Sequence, residues 1–445
     1  MTSSMPGSLT RVTSRDLTDP DQQARVLALA DEFVADPAAL DRTSAELADS
    51  QALGNADPVI VEAVACAHSA NRIRAIATPV HISIVWAMFR ETERILRRDQ
   101  HEHGEDFLFE KLRQIEWLAD HNSLLTWDLV AVDDGCPATP SSGDVAQRLV
   151  TEADLGGRVR VLRLADAIDQ QLAISDGFAA LTSTDDSRKG GSIAYGMWAA
   201  ISGRGGVIPV GAEHVVIYTD ADLSTNLAQA GSLVLPVLRG ASAAAGQRYG
   251  VPGAVLVKET GAMGEPDSTG TKPDKMIVLF RHYVRAVLVP QLAPVLDTQA
   301  GFKALRSDVL AAALSRLDAF TETFDVELLL HAADAGAADA GAAEISPVPI
   351  VFTEDFAATN FPSIDPAQRH LDMLHQIVDI HDRLVAPSGT SPEAREMRDF
   401  VATLDLDGYV AIIEGLRASD RARTGPDPLF SQRWELELLR SMTTS

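Results

Sequence analysis

The sequence predicts an α/β protein with a mostly parallel central sheet flanked by helices, and three observations carry that expectation. Apolar, β-branched runs recur as short buried strands at Val80–Trp86, Trp127–Val132 and Val215–Tyr218. The first two enclose a long charged stretch with helical character that runs through about Asp120, and strand, helix, strand implies a parallel βαβ unit. Two of the runs end in carboxylates, Asp133-Asp134 and Asp220-Ala221-Asp222, and ligands of open α/β sheets collect beyond such strand ends.

With 445 residues, 46% hydrophobic and 23% charged, the chain has ample length for one large core plus helical extensions. A net charge of −25 and a sequence pI near 4.7 repel phosphate backbones and anionic lipid. Nucleic acid is therefore disfavoured as a partner, and an anionic substrate needs a local basic pocket or a metal. No uninterrupted apolar run reaches about 18 residues; the nearest, Met276–Leu296, is broken by Arg281, His282 and Arg285. Stable membrane insertion is not expected. The N-terminus lacks the apolar stretch of a signal peptide, and Cys66 with Cys136 makes neither a disulfide framework nor a metal cluster. A reducing, cytoplasmic setting follows, with a homodimer left open as the assembly.

Residues 1–20 are polar and read as a disordered tail. From 21 to 77 the chain is Ala-rich and helical, Asp57-Pro58 supplying a cap and a proline at the first helical position. This N-terminal extension is expected to pack on a main domain spanning 78–356. Within that domain Arg158–Leu164 alternates as a third strand, Ala254–Val257 is another, and Glu344–Phe352, interrupted by prolines, reads as an edge strand. Gly261–Lys275 is rich in Gly, Pro and Asp, as lid loops are. Residues 357–445 turn helical, and His370, His375 and His381 read as surface residues in preference to metal ligands.

Asp220 and Asp222 at a strand end can hold a divalent cation by hard oxygen ligands, and a cation there neutralises a diphosphate leaving group. The spacing alone is common in an acidic chain and recurs at Asp19/Asp21 and Asp405/Asp407, but only Asp220/Asp222 follows a strand. Asp133-Asp134-Gly135 suits a turn equally well. Arg188-Lys189-Gly190-Gly191 sets two cations before glycines that open a helix, which suits a phosphate at the helix N-terminus or a plain basic turn. Arg281 and Arg285 share a helical face, available to an anion or to solvent.

Five motifs follow one another between about Pro79 and Glu354: Val132-Asp133-Asp134-Gly135, Arg188-Lys189-Gly190-Gly191, Asp220-Ala221-Asp222, Asp297-Thr298-Gln299-Ala300-Gly301-Phe302-Lys303 and Phe324-Asp325-Val326-Glu327-Leu328. Together they resemble glycosyltransferase family 2, in particular its dolichyl-phosphate mannose and glucose synthase branch. The resemblance implies a Rossmann-like GT-A fold and inverting transfer from a UDP-, GDP- or dTDP-sugar with Mg²⁺ or Mn²⁺. Asp133 and Asp134 are then expected at the base or ribose, with Phe89 and Glu91 also on the donor. Arg188, Lys189 and Gly190 flank the nucleotide; Asp220 faces ribose and metal, Ala221 lines the donor, and Asp222 ligates the metal. Single displacement also needs a general base, for which Asp325 is the first expectation and Asp297 the second, unless Asp297 only braces the Gly301-Phe302 turn. Lys258, Glu259, Arg281, Gln299 and Gly301 are expected around the acceptor.

Departures from that branch bear on the acceptor. No membrane segment follows the catalytic region and the helical N-terminal extension is foreign to the branch, so a small soluble hydroxyl acceptor fits better than a polyprenyl phosphate. A sugar-1-phosphate nucleotidyltransferase would carry a Gly-rich loop after the first strand, where Trp86-Ala87-Met88-Phe89-Arg90 has no glycine. A catalytically inert binding module is opposed by the intact Asp220, Asp222, Asp297 and Asp325.

Overall fold

A computed structural model describes residues 15–48, 56–187, 189–203, 208–258, 275–340, 344–354, 366–420 and 433–443. The strands are β1 (Val80–Met88), β2 (Leu125–Asp133), β3 (Val159–Arg163), β4 (Glu213–Thr219), β5 (Ala243–Gln247), β6 (Val255–Lys258), β7 (Phe302–Arg306), β8 (Ile345–Pro349) and β9 (Val351–Glu354). Seven of them form one sheet in the order β3-β2-β1-β4-β7-β5-β8. β1 pairs in parallel with β2 and β4, β2 with β3, and β5 with β8, whereas β7 runs antiparallel to β4 and β5. The mostly parallel sheet flanked by helices is therefore present.

Side chains alternate across the sheet with period two. Val215 and Ile217 of β4 enter one apolar core, Val216 and Tyr218 the other. The first core is closed by the N-terminal helices, through Val26, Val59 and Ala63; the second is closed by the C-terminal helices, through Leu371, Tyr409 and Leu439. The Pro58–Arg74 helix begins as expected, with the Asp57 carboxylate accepting from Val59 N at 2.9 Å. No helix among the described residues is long and apolar enough to cross a membrane.

Several expectations change. The helix before β2 spans only Phe107–Asp120, and residues 89–106 form an irregular segment that buries Glu91, Arg94 and Glu105. Gly104 approaches the carbonyl of Arg97 so closely that an added Cβ would lie 2.4 Å from its oxygen. The edge strand at 344–352 is two strands: β8 ends the main sheet, and β9 pairs with β6 in a separate two-stranded sheet. Residues 15–19, read as part of a disordered tail, are folded, with Arg15 and Leu17 buried. The histidines are not simple surface residues. His381 is buried and hydrogen-bonds the Leu288 carbonyl at 2.7 Å, and His375 Nε2 reaches the Leu404 carbonyl at 3.1 Å.

Candidate active site

Parallel pairing brings three strand ends to one edge. Met88 lies opposite Asp133, and Trp86 opposite Thr219, so the segments beginning at Phe89, Asp134 and Asp220 leave the sheet side by side. β7 ends the β4 strand in the opposite sense, with Thr219 opposite Phe302, which brings the Asp297–Gly301 turn to the same edge. Gly301 meets Asp220 directly: a Cβ there would stand 2.4 Å from Asp220 Oδ1. Only glycine admits the carboxylate at that distance.

The two carboxylates of the Asp-Ala-Asp stretch are partly open, their side chains 26% and 20% exposed, while Ala221 turns into the core. Lys189 Nζ pairs with Asp220. Arg94 Nη1 pairs with Asp222 Oδ2 at 3.1 Å, Ser224 N donates to its Oδ1 at 3.1 Å, and Lys111 Nζ donates to its backbone carbonyl at 2.8 Å. Burial works to raise Asp222, but Arg94, Ser224 and Lys111 outweigh it and hold the carboxyl below the usual carboxylate range. Arg94 also forks onto Glu91 with two 2.8 Å bonds and stands 3.7 Å from Glu105, whose Oε2 accepts from Leu223 N at 2.8 Å. Glu91, expected on the donor, is thus committed to Arg94. Phe89 lies half-buried beneath the Arg90 guanidinium, 5.4 Å from its ring centre.

Asp133 and Asp134 serve the chain itself. Asp133 accepts from Cys136 N, Ser141 Oγ and Gly143 N at 2.7–2.8 Å and so anchors the start of the Ser142–Glu152 helix. Asp134 accepts from Ser192 Oγ at 2.6 Å and Lys189 N at 2.9 Å, and burial pushes its carboxyl up to about 6 against those hydrogen bonds. Its effect is to fix the turn from which Lys189, at φ 76°, extends to Asp220. Gly190 lets that helix start press against the backbone of Phe320, where a Cβ would come within 2.6 Å.

The two base candidates separate. Asp297 is fully buried and takes two bonds from Arg248, Nε at 2.6 Å and Nη2 at 3.0 Å, besides one from Gln299 N at 3.1 Å. Its carboxylate is occupied by Arg248 and Gln299 and braces the turn, the alternative role expected for it. Asp325 stands in the first turn of the Phe324–Ala340 helix, with Lys303 Nζ 3.0 Å from its Oδ1. Burial pushes the Asp325 carboxyl well above the carboxylate range while Lys189 pulls it back, and burial draws the Lys303 ammonium down to about 7. Lys303 also donates to the Ala300 carbonyl and lies over the Tyr218 ring at 5.1 Å. Through Lys189, whose ammonium is held up by Asp220 and Asp325 against burial, the base candidate and the carboxylate pair belong to one electrostatic cluster.

Around the expected acceptor the picture is partial. Arg281, Thr298, Gln299 and Thr323 line one small cavity with Tyr249 and His282. Arg285 also lines this cavity but is buried, donating to the carbonyls of Leu292 and Val295, so it is not a solvated cation. Arg188, Glu259 and the loop at 261–274 lie outside the described residues, and of Lys258 only the strand position is described.

Sequence reasoning missed Arg94, Glu105 and Lys111. They lie in a stretch so rich in charge that it reads as a solvated helix face, and nothing in their spacing marks them as buried. Among the described residues no group of three or more His, Cys, Asp or Glu side chains is arranged to hold a metal. A divalent ion bound by one or two carboxylates plus substrate phosphates would meet Asp220 and Asp222 at this edge, both partly exposed and each paired with a cation of the chain.

No family model matches the chain, and no curated protein matches it. Among solved structures it is similar to glucosyl-3-phosphoglycerate synthase from Mycobacterium tuberculosis, in a complex with Mn²⁺, UDP and glucosyl-3-phosphoglycerate. Identity is 15%, the match covers 70% of this chain and 81% of that one, and the TM-score is 0.40. Mannosyl-3-phosphoglycerate synthase from Rubrobacter xylanophilus matches at 14% identity over 71% of this chain and 75% of that one, with a TM-score of 0.39.

Proposed function

We propose that the chain is a GT-A glycosyltransferase that moves a sugar, with inversion, from a nucleotide-diphospho-sugar to a hydroxyl of a small acceptor, using Mg²⁺ or Mn²⁺. The observation that carries this reading is the convergence of Asp220, Asp222, Lys189 and Asp325 at one sheet edge, two carboxylates, a cation and a candidate base in a single cluster. Asp220 and Asp222 would hold the ion. When bound, the ion supplies charge neutralisation to the departing diphosphate. Lys189 and Arg94, already seated at those carboxylates, are fixed positive charge of the chain's own where negative charge grows. Asp325, oriented by Lys303, accepts the acceptor's hydroxyl proton as that oxygen bonds to the anomeric carbon and the carbon–oxygen bond to the diphosphate breaks.

Among the described residues no carboxylate pairs with Arg281, which supports an acceptor that carries an anionic group into the cavity beside Gln299. Incubating the protein with a panel of UDP-, GDP- and dTDP-sugars, with and without Mn²⁺, tests the reading. Metal-dependent release of nucleoside diphosphate from one donor is expected; no release from any of them overturns it. Asp222→Asn is expected to weaken Mn²⁺-dependent nucleoside diphosphate binding by about 100-fold. Unchanged affinity in a calorimetric titration would remove Asp222 from the site.

A further inference from the structure

We propose that the N-terminal segment frames the site: Arg15, Glu62 and Asn226 form a buried relay that positions the loop bearing Asp220 and Asp222. Arg15 precedes the first helix, Glu62 lies in the Pro58–Arg74 helix, and Asn226 ends the carboxylate loop. All three are at most 4% exposed. Arg15 Nε donates to Glu62 Oε2 at 2.7 Å, and its Nη2 donates to Gln23 Oε1 at 2.7 Å. The other oxygen, Glu62 Oε1, accepts from Asn226 Nδ2 at 2.8 Å. Asn226 Oδ1 in turn accepts from Ala228 N at 2.9 Å, so its amide is fixed at both ends.

A buried ion pair is a poor stability device, because desolvation offsets most of the attraction and apolar residues of equal volume do as well. What this pair supplies is direction. Arg15 holds one Glu62 oxygen at 2.7 Å and reaches the other only at 3.5 Å, and that second oxygen is aimed at a residue four positions after Asp222. The stretch between is held from other quarters, Leu223 N donating to Glu105 Oε2 and Thr353 N donating to the Ser224 carbonyl, at 2.8 Å each. Without Arg15 the Glu62 carboxylate would be an uncompensated buried charge, relieved by protonation or by entry of water, and either loosens its hold on Asn226. Arg15, Glu62 and Asn226 are positioning residues in this scheme and touch no reacting atom.

The consequence for ligand binding rests on the glycosyltransferase reading; the effect on the loop does not. The test uses the full chain with Arg15→Met, Asn226→Asp, and Asn226→Asp combined with Glu62→Gln. Asn226→Asp keeps the oxygen facing Ala228 N but sets a carboxylate against Glu62, and the added Glu62→Gln restores an amide opposite a carboxylate. Two quantities are read: amide exchange of residues 220–229, and the affinity for UDP with Mn²⁺. Each single variant is expected to speed exchange in 220–229 and to weaken binding about tenfold, with the double variant returning both toward wild type. Unchanged exchange and affinity in the single variants, or a double variant no better than Asn226→Asp, overturns the relay. Should Arg15→Met fail to fold, the Asn226 pair of variants decides alone. If wild type binds no UDP with Mn²⁺, the donor reading suffers, while the exchange data still decide the relay.

Discussion

Asp325 and Lys303 share one buried environment, and burial works against the charge of each. Burial pushes the carboxyl up against Lys189 and the ammonium down against Asp297 and Asp220, and a 3.0 Å contact joins the two. Lys189 faces Asp325 from the neighbouring turn, and Asp297, Asp220, Lys189 and Arg248 act on Lys303. A base must be ionised to take a proton, so turnover should rise with pH as Asp325 loses its own. Lys303→Met removes the partner that favours the ionised carboxylate and is expected to move that rise upward by about one pH unit or more. A pH–rate profile of Lys303→Met that coincides with wild type would take the base away from Asp325.

At the scale of elements, the turn after Asp297 and the segment after β1 hold the carboxylate loop from two sides. Gly301→Ala would drive a methyl into Asp220, and overpacking of this kind costs about 1–3 kcal/mol. The expected outcome is a lower melting temperature together with weakened Mn²⁺-dependent nucleotide binding, read by thermal shift with and without ligand. The 89–106 segment carries a pH dependence. Burial pushes Glu91 up to about 7 and Glu105 up to about 8, above the 4.5 of an exposed glutamate. Folded pKa values above the unfolded value mean the folded segment binds protons more tightly. That contribution is full below about pH 4.5 and is lost as pH rises through 7 to 8. Amide exchange across 89–106, corrected for intrinsic rates, should therefore be more protected at about pH 5 than at about pH 9; equal protection would contradict it.

At the scale of the molecule, both helical extensions belong to the cores. The N-terminal helices bury Val26 and Val59 in one core, and the C-terminal helices bury Leu371 and Tyr409 in the other, with Trp434 edge-on to Tyr283 at 5.3 Å and Tyr283 Oη donating to the Trp434 carbonyl at 2.9 Å. Helices of the main domain share those cores, Phe107–Asp120 on one side and Gly190–Ile201 on the other. Calorimetry of the intact chain is expected to give one cooperative transition, and two well-separated transitions would show that an extension unfolds independently.

Much of this architecture was legible in the chain. Val80–Trp86, Trp127–Val132 and Val215–Tyr218 are strands because β-branched residues in short runs have little other stable use, and Asp133 and Asp220 stand at their ends as the pattern requires. β5 was not legible: Ala243-Ala244-Ala245 favours helix by local propensity and is a strand only because β7 and β8 pair with it on both sides. The partner of Asp297 was equally hidden, since Arg248 lies 49 residues away and only the fold brings its guanidinium to that carboxylate. The sequence by itself determined which strands form and which carboxylates stand at their ends, because periodicity and local motifs are short-range properties. Tertiary structure alone decided which cation meets which carboxylate, because Arg94, Lys189, Lys303 and Arg15 reach their partners across long stretches of chain, and burial sets the energy of each pairing.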